Sequence, residues 1–245
     1  MLGYIAREPS ACPLVRPLFL CIILALPFQS ANAQSNDALD KCLRSKGPDD
    51  ALLYCTKALE SNQLDDEDRA SAFVARGNAY LTNGNDERAI RDYNEALRLN
   101  RDSLGSLINR GRAYINKKEY DRAIEDFTAA IRIDGNIPRA FSSRAETYYY
   151  KQDYDHALDD INRAIELSPA WAEAYQNRAA TRSAKGDQDG AVTDYNQAIR
   201  LKPDYAVAFN NRGWSYYLKK EYDSALKDFD EAIRLDGKLA VAHVN

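Results

Sequence analysis

From residue 70 to residue 239 the sequence repeats every 34 residues without a gap, as segments 70–103, 104–137, 138–171, 172–205 and 206–239. Numbering each segment from 1 to 34, position 8 is small: Gly77, Gly111, Ala145, Ala179 and Gly213. Position 20 is Ala89, Ala123, Ala157, Ala191 and Ala225, and position 27 is alanine from Ala96 to Ala232. Large residues hold position 24 (Tyr93, Phe127, Ile161, Tyr195, Phe229) and position 4 (Phe73, Leu107, Phe141, Tyr175, Phe209). A fixed period of this length is the mark of a solenoid, in which each unit is one supersecondary element stacked on the last. Positions 4, 8 and 11 share one face of a first helix, and 20, 24 and 27 one face of a second. Small residues at 8 and 20 let two antiparallel helices approach closely, with the large residues at 4 and 24 filling the space beside them. One such hairpin cannot bury its apolar face alone, but stacked copies form a continuous core. The expected fold is all-α.

Two charged rows run through every copy. Position 7 is Arg76, Arg110, Arg144, Arg178 and Arg212; position 23 is Asp92, Asp126, Asp160, Asp194 and Asp228. Both flank an apolar stripe, so the favoured reading is a repeated structural ion pair between packed helices, over a ladder that binds carboxylates or other anions. The acid at position 18 (Glu87, Asp121, Asp155, Asp189, Asp223) suits the positive start of the second helix.

The pattern resembles the tetratricopeptide repeat, whose signature is W-x2-L-G-x2-Y, then A-x3-F, then Ala and Pro. The resemblance covers residues 70–239. It departs from the family pattern in four respects: position 4 never carries Trp, position 7 is Arg in every copy where the family usually has Leu, position 11 of the fourth copy is Arg182, and only Pro169 and Pro203 occupy position 32. The resemblance implies a right-handed superhelix whose first helices line a concave groove, and a role in binding proteins or peptides. Taking 100° per residue, positions 2, 5, 9, 12 and 13 point away from the packing stripe, toward that groove. They include Arg112, Arg139, Glu146, Tyr149, Tyr150, Asn210, Trp214 and Tyr217. Exposed aromatics with Arg are residues that anchor interfaces. Position 6 adds Asn109, Asn177 and Asn211, with Ala75 and Ser143 breaking the row. An asparagine amide offers both a donor and an acceptor, as a peptide unit does; in some family members, such as O-linked N-acetylglucosamine transferase, an asparagine ladder holds the peptide backbone. The Lys set of the co-chaperone carboxylate clamp has no match here.

The ends differ from the middle. Arg7 and Arg16 precede an apolar run at residues 17–28, followed by Ala31-Asn32-Ala33. This is the order of a secretory signal peptide, spanning residues 1–33, with cleavage leaving Gln34 first. The run is too short for a membrane span, which needs about 20 residues. Leu20 is too large for a lipobox before Cys21, and no twin-arginine pair is present. The expected setting is therefore an exported, periplasmic protein without a membrane span in its mature form. Cys42 and Cys55 would then remain, equidistant from the centre of the Gly47-Pro48-Asp49-Asp50 turn. In an antiparallel hairpin they stand opposite one another, and an oxidising compartment joins them as a structural staple. Residues 34–69 are thus a capping hairpin, with Ala51, Cys55 and Ala58 reproducing the 20–24–27 spacing. Residues 240–245 copy the opening of a sixth repeat, which suggests either an open end able to support self-association or a truncated gene.

Other functions are disfavoured. A formal net charge of −4 without a basic block disfavours nucleic acid. There is no nucleophile elbow, no phosphate-cradling loop and no set of metal ligands around its two histidines, so no catalytic residue, metal or cofactor is expected. The competing readings are a non-enzymatic adaptor or scaffold and a self-assembling structural module.

Overall fold

A computed structural model describes residues 37–61 and 63–237. Among them the chain is entirely helical outside its turns, with twelve helices in consecutive antiparallel pairs. Helix α1 (residues 37–43) pairs with α2 (Pro48–Glu60). Five pairs follow: α3 (Asp66–Thr82) with α4 (Asp86–Leu99), α5 (Leu104–Asn116) with α6 (Tyr120–Ile133), and α7 (Pro138–Tyr150) with α8 (Tyr154–Leu167). The last two are α9 (Ala172–Ala184) with α10 (Gln188–Leu201), and α11 (Ala206–Leu218) with α12 (Tyr222–Leu235). The segment read as a signal peptide and the start of a sixth repeat lie outside the described residues.

Each helix from α2 onward packs on the next in sequence, and each first helix from α3 also meets the first helix of the following pair. The alanines of positions 20 and 27 are almost wholly buried, and Tyr93, Phe127, Ile161 and Tyr195 fill the spaces between helices. Position 8 shows why a small residue is required. A methyl group on Gly77 would come within 2.8 Å of the Tyr93 ring, and one on Gly111 within 2.8 Å of Phe127. Where position 24 shrinks to Ile161, position 8 is Ala145, although Ala179 fits against Tyr195 as well.

The turn inside each pair is built alike. Position 15 takes a left-handed backbone in Gly84, Lys118, Gln152, Gly186 and Lys220, with φ between 60° and 94°. This closes the first helix with a backward-pointing N–H. The second helix then starts on position 16, where Asn85, Asp153 and Asp187 accept from the backbone N–H three residues on. Glu119 and Glu221 at that position make no such bond.

The cysteine pair is closed. Cys42 and Cys55 form a disulfide across α1 and α2, with Cα atoms 4.7 Å apart. Both are buried in a cluster with Leu39, Ala58, Leu64, Ala72 and Ala79, which carries the core onto α3.

Candidate functional site

The Arg and Asp rows form pairs in all five repeats. In the third repeat Arg144 donates Nε and Nη2 to the two carboxylate oxygens of Asp160, each at 2.8 Å. The same forked pair joins Arg76 to Asp92, Arg110 to Asp126, Arg178 to Asp194 and Arg212 to Asp228. The aspartates are 9% exposed or less as side chains. The remaining guanidinium nitrogen reaches back to position 25 of the preceding repeat: Arg110 to Asn94, Arg144 to Thr128, Arg178 to Asn162 and Arg212 to Asn196. Arg76 finds Thr56 of α2 in the same role. Four of these guanidiniums also lie over the position-4 ring of their own helix. The arginines are consumed by the array and are not free to bind an anion.

Arg182, the departure at position 11, joins this scheme. Its Nη1 donates to Asp194 Oδ2 at 2.8 Å, so two arginines share one carboxylate. In the first three repeats position 11 is instead a tyrosine stacked on Arg88, Arg122 or His156 of position 19. Glycine stands there in the fourth, leaving room for the longer cation.

A second inter-repeat row was not anticipated from the sequence. Lysines at position 14 pair with the position-18 acid of the previous repeat: Lys117 with Glu87 at 3.0 Å and Lys219 with Asp189 at 2.7 Å. Lys151 pairs with Asp121 and Lys185 with Asp155 in the same way. The recurrence of lysine was visible, but its partner lies 30 residues back in sequence.

What remains for binding is the side lined by first helices. Glu146, Tyr149 and Tyr150 of α7, Asn177 of α9 and Asn211 of α11 border one cavity of about 260 Å³, floored by Ile161. Gln176, Ala180 and Thr181 complete its wall. Gln176 and Ala180 hold groove positions 5 and 9 but were not singled out from the sequence. The tyrosines form a connected surface: Tyr150 stacks on Tyr120 of the previous repeat with centroids 5.8 Å apart, and Tyr149 meets Tyr150 and Tyr154. Tyr150 donates its hydroxyl to Glu146 at 3.1 Å. Partial burial, together with that carboxylate, pushes the Tyr150 phenol up to about 12.

The other expected residues are distributed along the same face. Arg112 and Arg139 are exposed. Trp214 and Tyr217 are 42% and 49% exposed and meet edge to face, with Tyr217 also against Tyr222. Asn109 donates to Asn78 Oδ1, which also accepts from the Tyr93 hydroxyl, both at 2.8 Å. Asn210 corrects the expectation for position 5. It is only 8% exposed, and its amide turns onto Asn211 at 3.2 Å. Ile108 and Ser142 are likewise buried at the same position.

A larger space of about 670 Å³ lies at the other end, between Leu43 of α1, one face of α3 and the Leu99-Asn100 turn. Ser71, Val74, Ala75 and Asn78 line it from groove positions 2, 5, 6 and 9 of the first repeat. The sequence pattern singled out none of Ser71, Val74 and Asn78 and showed Ala75 only as a break in the asparagine row, since the space exists only because α1 leaves part of α3 uncovered. No group of three or more His, Cys, Asp or Glu able to hold a metal occurs among the described residues.

Models of the tetratricopeptide repeat match residues 43–103, 74–138 and 108–170, and again 206–239, while a model described as TPR repeat matches 182–220. The chain belongs to the tetratricopeptide-repeat family. No curated protein matches it in sequence. Among solved structures it is similar to MamA, at 26% identity and a TM-score of 0.59 over 67% of this chain and 96% of that one. It is also similar to YrrB, described as a TPR protein with an unusual peptide-binding site. That match has 26% identity and a TM-score of 0.57 over 75% of this chain and 92% of that one. A chain of the Cut9–Hcn1 hetero-tetramer of the APC/C, at 18% identity and a TM-score of 0.69 over 85% of this chain and 43% of that one, shares the fold.

Proposed function

We propose that this array is a non-enzymatic adaptor or scaffold that holds a protein segment or peptide in the concave groove between its first helices, in the periplasm or cell envelope. The observation that carries the reading is the cavity shared by Glu146, Tyr149, Tyr150, Asn177 and Asn211, drawn from three successive first helices. The recurring charges of the repeats are used internally, whereas this wall offers aromatic surface and amide groups suited to an extended backbone. TPR domains generally serve as protein-binding scaffolds, and YrrB carries a peptide-binding site. The periplasmic setting rests on the expected signal peptide and accords with the disulfide; a mature chain starting at Gln34 in a periplasmic fraction would support it, and an uncleaved cytosolic chain would refute it.

The test of the adaptor reading is crosslinking in cells with the tagged protein and a Tyr149→Ala, Tyr150→Ala, Trp214→Ala variant matched for helical circular dichroism. A defined partner is expected with the parent and lost with the variant. Partners retained by both would move the site away from the groove.

One observation favours a second reading, self-assembly through the last repeat. Leu218, Tyr222, Leu226 and Ile233 are 57%, 54%, 61% and 46% exposed, an apolar concentration on α11 and α12. Sedimentation that shows a strict monomer at tens of micromolar, where about 7 kcal/mol of association would register, would exclude that reading.

A further inference from the structure

The groove carries one residue from each first helix at position 9, in the order Asn78, Arg112, Glu146, Ala180 and Trp214. Unlike the Arg, Asp and Lys rows of the seams, this one does not repeat: a cation, an anion, a small residue and an aromatic succeed one another. Asn78, Glu146 and Ala180 border the cavities described above, and Trp214 is exposed. Arg112 and Glu146 are exposed and form no ion pair among the described residues, whereas the position-7 and position-14 cations bridge the seams of the array. Glu146 accepts one hydrogen bond through Oε1, from Tyr150, so its second oxygen is available. Arg139 adds positive charge on the α5–α7 side.

Spacing converts this order into a ligand. Packed helices lie about 8–10 Å apart. A polyproline II segment advances about 3.1 Å per residue with three residues per turn, so every third side chain faces the same way about 9 Å further on. One side chain in three therefore meets one first helix. We propose that the groove selects an extended peptide with an acidic residue at i, a Lys or Arg at i+3 and a bulky apolar residue at i+6. The acid pairs with Arg112, the base with Glu146 beside the Tyr149 and Tyr150 rings, and the apolar side chain enters the cavity over Ala180. Gln176, Asn177 and Asn211 serve the ligand backbone between these anchors. This rests on the groove reading given above and adds the sequence class that the groove takes.

The test uses two labelled ten-residue peptides in a proline-rich background, one with Asp at i, Lys at i+3 and Leu at i+6, the other with the two charges exchanged. Anisotropy with the full protein should show the first bound at least tenfold more tightly. The Arg112→Glu, Glu146→Arg double variant should invert that preference; both positions are exposed, so the fold is kept. A random displayed peptide library supplies the control. Groove-dependent binders that lack the charge order would overturn this proposal and leave the groove reading standing. A library without any binder sensitive to Asn177→Ala or Asn211→Ala would overturn both. Equal binding of the two peptides would also overturn the charge order.

Discussion

The two ends of the array meet the same physical problem with different means. At the first end, α2 stands where the second helix of a preceding repeat would be: Thr56 receives Arg76, and a disulfide ties α1 over the core. At the other end, no described helix follows α12. Asp223 and Asp230 occupy the positions that elsewhere receive Lys and Arg from the next repeat, and Leu226 is 61% exposed where Val192 of the fourth repeat is 9%. The contrast shows what makes a solenoid stable. Each repeat supplies only half of its interface, so the same residue type is core or surface according to its neighbour.

The sharpest way to break this comparison is to place a charge at position 21 in both settings. Val192→Asp should cost about 4 kcal/mol or prevent folding, because the carboxylate is buried without a partner. Leu226→Asp should stay within about 0.5 kcal/mol in urea unfolding, as surface substitutions do. Equal losses would mean that the α12 face is covered in solution.

Next in size is the seam itself. Arg144→Leu leaves Asp160 buried and unpaired and removes the bond to Thr128, an expected loss of about 3 kcal/mol by denaturant titration. Unchanged stability with abolished ligand binding would instead assign the arginine row to function. Replacing both cysteines with alanine should cost about 2–3 kcal/mol at the first end, less if the reduced hairpin keeps structure. Hydrogen exchange should rise in α1 and α2 and hardly at all in α11 and α12. The smallest effect concerns the turns, which the two ends share. Gln152 sits at φ 60°, so Gln152→Gly should stabilise by about 0.5–1 kcal/mol, read as a higher melting midpoint.

Much of this architecture was legible in the chain before its coordinates. The period gave the helix pairs, the small residues at positions 8 and 20 gave their close approach, and the matched Arg and Asp rows gave the buried pairs. Helical periodicity places a residue around its own helix but not against the neighbouring one. For that reason Asn210 looked open and is buried, and Arg182 stood out only as a departure from the repeat pattern but shares Asp194 with Arg178. The lysine row pointed nowhere until stacking set Lys117 beside Glu87. The cavity near Leu43 depends on where α1 leaves α3 uncovered, which no spacing encodes.

The central claim is that a partner occupies the side lined by first helices. A photo-crosslinking residue placed at Ala180, inside the groove, and separately at Glu125, exposed on α6, tests it directly in cells. The account predicts a discrete adduct from position 180 and none from position 125. An adduct from position 125 alone would contradict it and assign recognition to the opposite face.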